Sequence, residues 1–365
     1  RRLKRRLKLR AHRQYLLGRA IRRRRRLTLL ADRTGQIASG DILLFMAMRN
    51  EHPRLSYFLQ YYRKLGVQHF FVVDNDSADG GREFMIAQPD TSVWVTKASY
   101  KEARFGMDWL TYLLRRYGSG HWCLTVDPDE FLVYPHCDTP PLRALTDWLD
   151  ASAIRSFSAM LLDMYPKGSI SGQPYQEGKD PFDIACWFDP ANYAIRKNGE
   201  FGNLWIQGGP RARIFFPDEP EKSPALNKIP LVRWERPYAY VSSTHMLLPR
   251  SLNMVYDEDG GEKASGCLLH AKFLSTFIEK SAEELDRGQH YADSQEYRAF
   301  LAKHPARDFI ESVTANDVGW TVDGLNEERF TLHFPFSFRK QRKLFDRYVD
   351  VQRRFLVRRQ IPDGL

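Results

Sequence analysis

From residue 41 the chain alternates short apolar runs with stretches of helical periodicity. Ile42-Leu43-Leu44-Phe45-Met46-Ala47-Met48 is a continuous apolar run, the pattern of a strand buried on both faces. Leu55, Phe58, Leu59, Tyr62 and Leu65 follow at helical spacing up to Gly66, a helix stop. Residues 67–73 predict a second strand and 92–96 a third. Residues 103–117 predict an amphipathic helix through Met107, Leu110, Leu113 and Leu114, and 121–126 a fourth strand. This rhythm implies an α/β fold built on a mostly parallel sheet with right-handed crossovers. After Asp129 the alternation loosens. A strand is expected over 156–162, ending at Asp163, then a Gly, Pro and Ser-rich loop over 165–183 and a strand over 212–216. A strand over 239–244 ends at His245, the run Cys267-Leu268-Leu269 leads into His270, and helical patterns fill 276–303 and 337–359.

Polar clusters close three of the apolar strands: Arg49-Asn50-Glu51, Asp74-Asn75-Asp76-Ser77 and Asp127-Pro128-Asp129. Parallel strands place their C-terminal ends on one edge of the sheet, where ligands bind, so the three clusters are expected to meet. Pro128 cannot extend a central strand and biases Asp127 toward an extended backbone. Two close carboxylates repel each other unless a positive charge sits between them, and a divalent cation holding a phosphorylated substrate would satisfy both. The bland alternative is a solvated strand-to-turn junction. Residues 74–85 do not make a calcium loop, because Ala78, Asp79 and Met85 stand where an EF-hand wants an acid, a glycine and a glutamate. Asp74 at its strand end suits contact with a base or ribose, and equally suits capping the following helix. Two glycines before Arg211 would let backbone approach a ligand beside a cation, although Gly-Gly-Pro is also an ordinary turn.

Charge divides the chain unevenly. The formal net charge is +10, but residues 1–26 hold fourteen Lys or Arg and no acid, which leaves 41 basic against 45 acidic groups in the rest. The body is therefore not a nucleic-acid surface by composition, and no nucleic-acid partner is expected. Residues 1–33 interleave arginines with Leu3, Leu7, Leu9, Leu16, Leu17 and Ile21, which suits a cationic helix on an anionic membrane surface. A solvated arm, a nucleic-acid tail and a helix docked on the acidic body are the competing readings. Residues 337–359 are basic on one side and could join the same surface or remain a solvated helix. Cys123, Cys137, Cys186 and Cys267 follow no metal-ligand spacing, and three lie in apolar surroundings, so free thiols in a reducing compartment are expected. No run approaches the roughly eighteen apolar residues of a membrane helix, and the N-terminus lacks the apolar segment of a secretion signal.

Taken together, Met48-Arg49-Asn50-Glu51, Leu65-Gly66-Val67-Gln68-His69-Phe70 leading to Asp74-Asn75-Asp76-Ser77-Ala78-Asp79-Gly80, and Asp127-Pro128-Asp129-Glu130-Phe131 resemble the bacterial family-2-like glycosyltransferases of GT-A fold. They also resemble the related glycosyltransferase family 92. The resemblance covers residues 41–275 and implies a GT-A-like, Rossmann-like domain, flanked by a basic N-terminal extension (1–40) and a C-terminal helical region (276–365). It implies a metal-dependent glycosyltransferase using Mn²⁺ or Mg²⁺ and a UDP- or GDP-linked sugar. The acceptor would be a polysaccharide or glycolipid, in bacterial surface glycan synthesis on the inner face of the cytoplasmic membrane. Asp74 and Asp76 would meet the nucleotide, with Arg49 and Glu51 at the end of the first strand. Asp127 and Asp129 would meet ribose, metal and diphosphate, with His270 completing the metal site. Arg211, Lys228 and Lys272 are the available cations for the leaving phosphate. Inversion would require a carboxylate base, and the candidates are Asp163, Glu200, Asp218 and Glu219, with Glu221 beside them. The alternative is a non-catalytic membrane- or polyanion-binding scaffold with a transferase-like fold.

Overall fold

A computed structural model describes residues 2–134, 137, 141–189, 193–255, 265–289, 297–298 and 320–321. The helix expected over 337–359 lies outside them, as does most of 290–303. The chain begins with α1 (Arg2–Arg23), β1 (Thr28–Ala31), β2 (Ile42–Met48), α2 (His52–Leu65), β3 (His69–Asp74), α3 (Gly81–Ile86) and β4 (Thr91–Val95). Next come α4 (Met107–Leu113), β5 (Trp122–Thr125), β6 (Glu130–Val133), α5 (Leu142–Ala151) and β7 (Ser156–Asp163). A less regular stretch holds β8 (Trp187–Phe188), β9 (Tyr193–Lys197), β10 (Leu204–Gly208) and α6 (Gly209–Phe215). It is followed by β11 (Asn227–Arg233), β12 (Ala239–Ser242), β13 (Met246–Leu248), β14 (Ser265–His270), α7 (Thr276–Arg287) and β15 (Trp320–Thr321).

Nine strands form one sheet in the order β1-β4-β3-β2-β5-β11-β7-β14-β6. Six of them (β2, β3, β4, β5, β7 and β14) run in one direction, and β1, β11 and β6 run against them. The architecture is the expected mixed, mostly parallel α/β sheet flanked by helices. Alternation along β2 shows why its run had to be continuous. Ile42, Leu44, Met46 and Met48 pack with Phe58, Leu59 and Tyr62 of α2, whereas Leu43 and Phe45 pack with Trp109, Leu110 and Leu113 of α4. Each such buried side chain contributes about 1.5–3 kcal/mol, so both faces of β2 favour burial.

Two expectations need correction. Residues 212–216 are not a strand but the end of α6. Pro210 sits in its first turn, where a missing N–H costs nothing, and the left-handed Gly209 (φ 66) lets the chain turn in from β10. Residues 227–233, which the sequence pattern leaves unassigned, form a central strand that contains Pro230, and its register against β7 shifts between Lys228 and Leu231, around the residue that lacks an N–H donor. The helix over 103–117 starts only at Met107, since Arg104, Phe105 and Gly106 all have positive φ. At the N-terminal end β1 pairs with β4 as an edge of the main sheet, and α1 docks on the body, one of the readings left open for the basic helix. Leu9, Leu16 and Leu17 of α1 pack on Ala239 and Leu248, while Arg19 meets Asp108 at 2.9 Å and Lys8 meets Glu200 at 2.7 Å. Leu3 and Leu7 stay 67% and 58% exposed. Cys123 and Cys267 are buried, Cys137 and Cys186 half-buried, and none forms a disulfide.

Candidate active site

The ends of β2, β3 and β5 open into a cleft of ≈ 280 Å³. Arg49 and Glu51 line it after β2, Asn75 after β3, and Asp127, Pro128, Asp129 and Glu130 after β5. β14 adds His270, with Lys272 just beyond it. α7 contributes the face Phe277, Lys280, Glu284 and Arg287, a spacing that puts all four on one side of a helix. Residues after 275 thus share the cleft with the strand ends. Seven Lys or Arg line it (Arg49, Arg54, Arg211, Lys228, Lys272, Lys280, Arg287) against five carboxylates (Glu51, Asp127, Asp129, Glu130, Glu284). Excess positive charge in a concave, partly apolar site favours an anionic ligand.

At the centre is a buried chain of ion pairs. β7 and β14 run parallel with Asp163 directly beside His270, so the two side chains share a face. His270 Nδ1 lies 2.6 Å from Asp163 Oδ1, its Nε2 lies 3.3 Å from Asp129 Oδ2, and Arg211 Nε donates to Asp163 Oδ2 at 2.7 Å. Burial alone would lower the pKa of His270, but Asp129 and Asp163 on its two nitrogens raise it to about 9. Burial would raise Asp163, yet Arg211 and then His270 hold it at about 2. Asp129 is likewise held far below its ordinary value, against burial, by His270 and then Arg54. Beside this chain Lys228 donates to Glu130 at 2.8 Å and faces Asp127 at 3.6 Å. Burial pushes Glu130 up to about 7 against the pull of Lys228.

Among the described residues no group of three or more His, Cys, Asp or Glu side chains is arranged to hold a metal ion. Asp129 Oδ2 and His270 Nε2 nevertheless lie side by side, with Asp163 fixing the imidazole from behind, so a cation entering between them would take the place of the Nε2 proton. Two protein donors suit a Mg²⁺- or Mn²⁺-like ion that takes its remaining ligands from diphosphate and water. Asp127 is not part of that pair. Its carboxylate is 42% exposed and turned toward Lys228.

Other expected residues lie elsewhere. Asp74 does not line the cleft. It is fully buried in its own turn, where Oδ1 accepts from Arg82 Nε at 2.9 Å and from the Ser77 amide at 3.1 Å. Asp76 faces Arg82 and Lys97 at 3.8 and 4.0 Å, outside the wall. Among the carboxylate bases, Asp163 is committed to His270 and Arg211. Glu200 pairs with Lys8 of α1, while Asp218 and Glu219 lie in an exposed loop, Glu219 against Lys222 at 2.6 Å. A polar residue at a loop position carries no signal of which way the loop faces, so these three were not separable by sequence. Conversely, Arg54 was missed: it meets Glu51 at 3.1 Å and Asp129 at 3.6 Å. Its signal was there, one helical turn beyond Glu51 at the start of α2. Lys280, an ion-pair partner of Glu51, had no comparable signal.

No protein-family model and no curated protein matches this chain. Among solved structures, the mannosyltransferase PcManGT from Pyrobaculum calidifontis, in complex with GDP-Man and Mn²⁺, is similar over 43% of this chain and 46% of its own. Identity over that region is 18% and the TM-score is 0.26, so the likeness is weak and spans less than half of that protein.

Proposed function

We propose that this protein is a glycosyltransferase that moves a sugar from a nucleotide-sugar donor to a glycan or glycolipid acceptor with the help of a divalent metal ion. The observation that carries this reading is the Asp129–His270 pair, braced by Asp163 and set in a cleft whose cations outnumber its carboxylates. Asp129 and His270 would hold the metal, and a divalent cation bound there supplies stabilisation of the charge that gathers on the leaving diphosphate. Lys228, Arg54 and Lys272 add fixed positive charge around the same corner. Arg211 acts through Asp163, keeping its carboxylate charged and His270 oriented. Arg49, Asn75 and Arg287 offer donors for the nucleoside side: Arg49 already donates to the Asn75 and Asp76 carbonyls at 2.7 Å, which fixes the turn after β3.

Calorimetric titration with UDP, GDP and CMP, with and without Mn²⁺, should find one nucleotide whose affinity rises with the metal. Slow hydrolysis of the matching nucleotide sugar should disappear in Asp129→Ala. Hydrolysis unchanged by that substitution would remove the metal assignment, and a protein that binds none of the three nucleotides would be the non-catalytic scaffold instead. The same reading includes contact with an anionic membrane. Leu3 and Leu7 are exposed amid Lys4, Arg6 and Arg10, each basic residue contributing about 1 kcal/mol near such a surface. No helix of the described residues is long and apolar enough to cross a membrane. Sedimentation with phosphatidylserine vesicles, lost on deleting residues 2–8, is the expected result; equal sedimentation without them would refute it.

A further inference from the structure

Beside Lys228 the cleft wall changes character. β11 begins with Asn227, fully buried, which fastens two elements together. Its carbonyl lies 2.6 Å from His245 Nδ1, its Nδ2 donates to the His245 carbonyl at 3.2 Å, and its Oδ1 accepts the Ile206 amide at 3.1 Å. Asn203 donates to the same His245 carbonyl at 3.3 Å. Trp205, the residue before Ile206, and the His245 ring are thereby held 5.9 Å apart, and both line the cleft. Because Nδ1–H is given to a carbonyl, a neutral His245 presents an unprotonated Nε2 to any ligand as a hydrogen-bond acceptor. It is neutral near pH 7, since burial and then the charges of Lys228 and Arg211 lower its pKa to about 3. Ser242 and Ser243 line the cleft just before it, and Ser243 holds a left-handed backbone (φ 42) that costs a non-glycine residue energy and is characteristic of ligand sites.

This wall is lined by an indole, a neutral imidazole and two serines, none of them charged, next to a corner that carries several charges. An anion belongs at the corner. An uncharged ring with an apolar C–H face and hydroxyl donors belongs on the wall, the C–H face over Trp205 and a hydroxyl donating to His245. We infer that Trp205 and His245, clamped by Asn227, form a sugar subsite, and that the sugar it takes is the acceptor's; the word acceptor rests on the transferase reading above, whereas the sugar subsite does not.

Saturation-transfer NMR of the full chain with a panel of methyl hexosides tests both parts. Saturation should reach the ring protons of at least one hexoside and persist when UDP or GDP with Mn²⁺ is present in excess. Affinity should fall by about tenfold in Trp205→Ala and in His245→Gln, the loss expected when one such contact is removed. Thermal melts of the two variants show whether either has lost its fold, and one folded variant suffices. The inference is overturned if no hexoside receives saturation from the wild type, or if the signal survives both substitutions. Displacement by a nucleotide sugar but not by the bare nucleotide would give the wall to the donor's sugar and overturn the acceptor assignment. A hexoside signal behaving as expected in a protein that binds no nucleotide would support the subsite while removing the transferase reading.

Discussion

Replacing Asp163 by asparagine keeps the shape of the side chain and removes its charge. Asp163 now accepts two hydrogen bonds at once, from His270 at 2.6 Å and Arg211 at 2.7 Å, with 1% of its side chain exposed. An asparagine has one accepting oxygen, so whichever donor it keeps, its NH₂ faces the other. Removing one partner of a buried ion pair costs about 3–5 kcal/mol, and the one hydrogen bond retained offsets about 1 kcal/mol of that. The expected loss is about 2–4 kcal/mol, or a melting temperature lower by on the order of 10 °C for a domain of this size. On the proposed role of His270 as a metal ligand, losing the carboxylate behind it should also weaken metal affinity by about 10–100-fold. Urea unfolding measures the first effect, and titration of Mn²⁺ in the presence of the bound nucleotide measures the second. Asp218→Asn, in an exposed loop, is the control and should do neither. An Asp163→Asn protein with wild-type stability would refute the account of this buried chain. Wild-type Mn²⁺ affinity would refute the role of Asp163 in orienting His270.

Asp108 is fully buried between Arg19 at 2.9 Å and Arg104 at 2.7 Å, so Asp108→Asn should cost about 3 kcal/mol. It should also speed tryptic cleavage around Arg22–Arg26 as α1 loosens; unchanged melting and cleavage would show that the helix docks by its leucines alone. His69 is buried with Nε2 2.9 Å from Ser92 Oγ, and burial lowers its pKa to about 4. Between about pH 6.5 and 4 the unfolded chain binds a proton that the folded one does not, so stability falls as pH drops through that window, by up to roughly 3 kcal/mol. Wild type should therefore lose more stability across that window than His69→Gln; parallel urea-denaturation curves would contradict it. Glu200→Gln and Glu219→Gln should leave nucleotide-sugar hydrolysis within about twofold of wild type, as surface changes do, and a large loss in either would return that residue as the carboxylate base.

Much of the sheet was legible because its strands are buried on both faces. A strand such as β2 must then be apolar at every position, which periodicity detects, and a parallel arrangement sends the polar residue after each strand to the same edge. Arg49, Glu51 and Asp129 therefore stand where the pattern put them. Asp74 did not follow: the strand-end acid turned back to close its own turn on the Ser77 amide, rather than meeting a ligand or capping the next helix. Local chemistry misled in one place and was silent in another. Gly208-Gly209-Pro210 starts a helix, and Pro230 sits inside a central strand where the register shifts.

By itself the sequence determined the α/β alternation, the excess of positive charge in the first helix and the three acid-bearing strand ends, since each follows from residues close together in the chain. Only the tertiary structure decided what those residues do. His270 is held by an acid 107 positions earlier because β14 lies beside β7, and Asn227 can lock His245 and Trp205 only because β11 begins where β10 and β13 converge. The basic helix rests on the body through Leu9, Leu16 and Leu17 and through Arg19 on the buried Asp108. Strand order and the direction a loop faces are set by packing across the whole sheet, and no window along the chain contains that information.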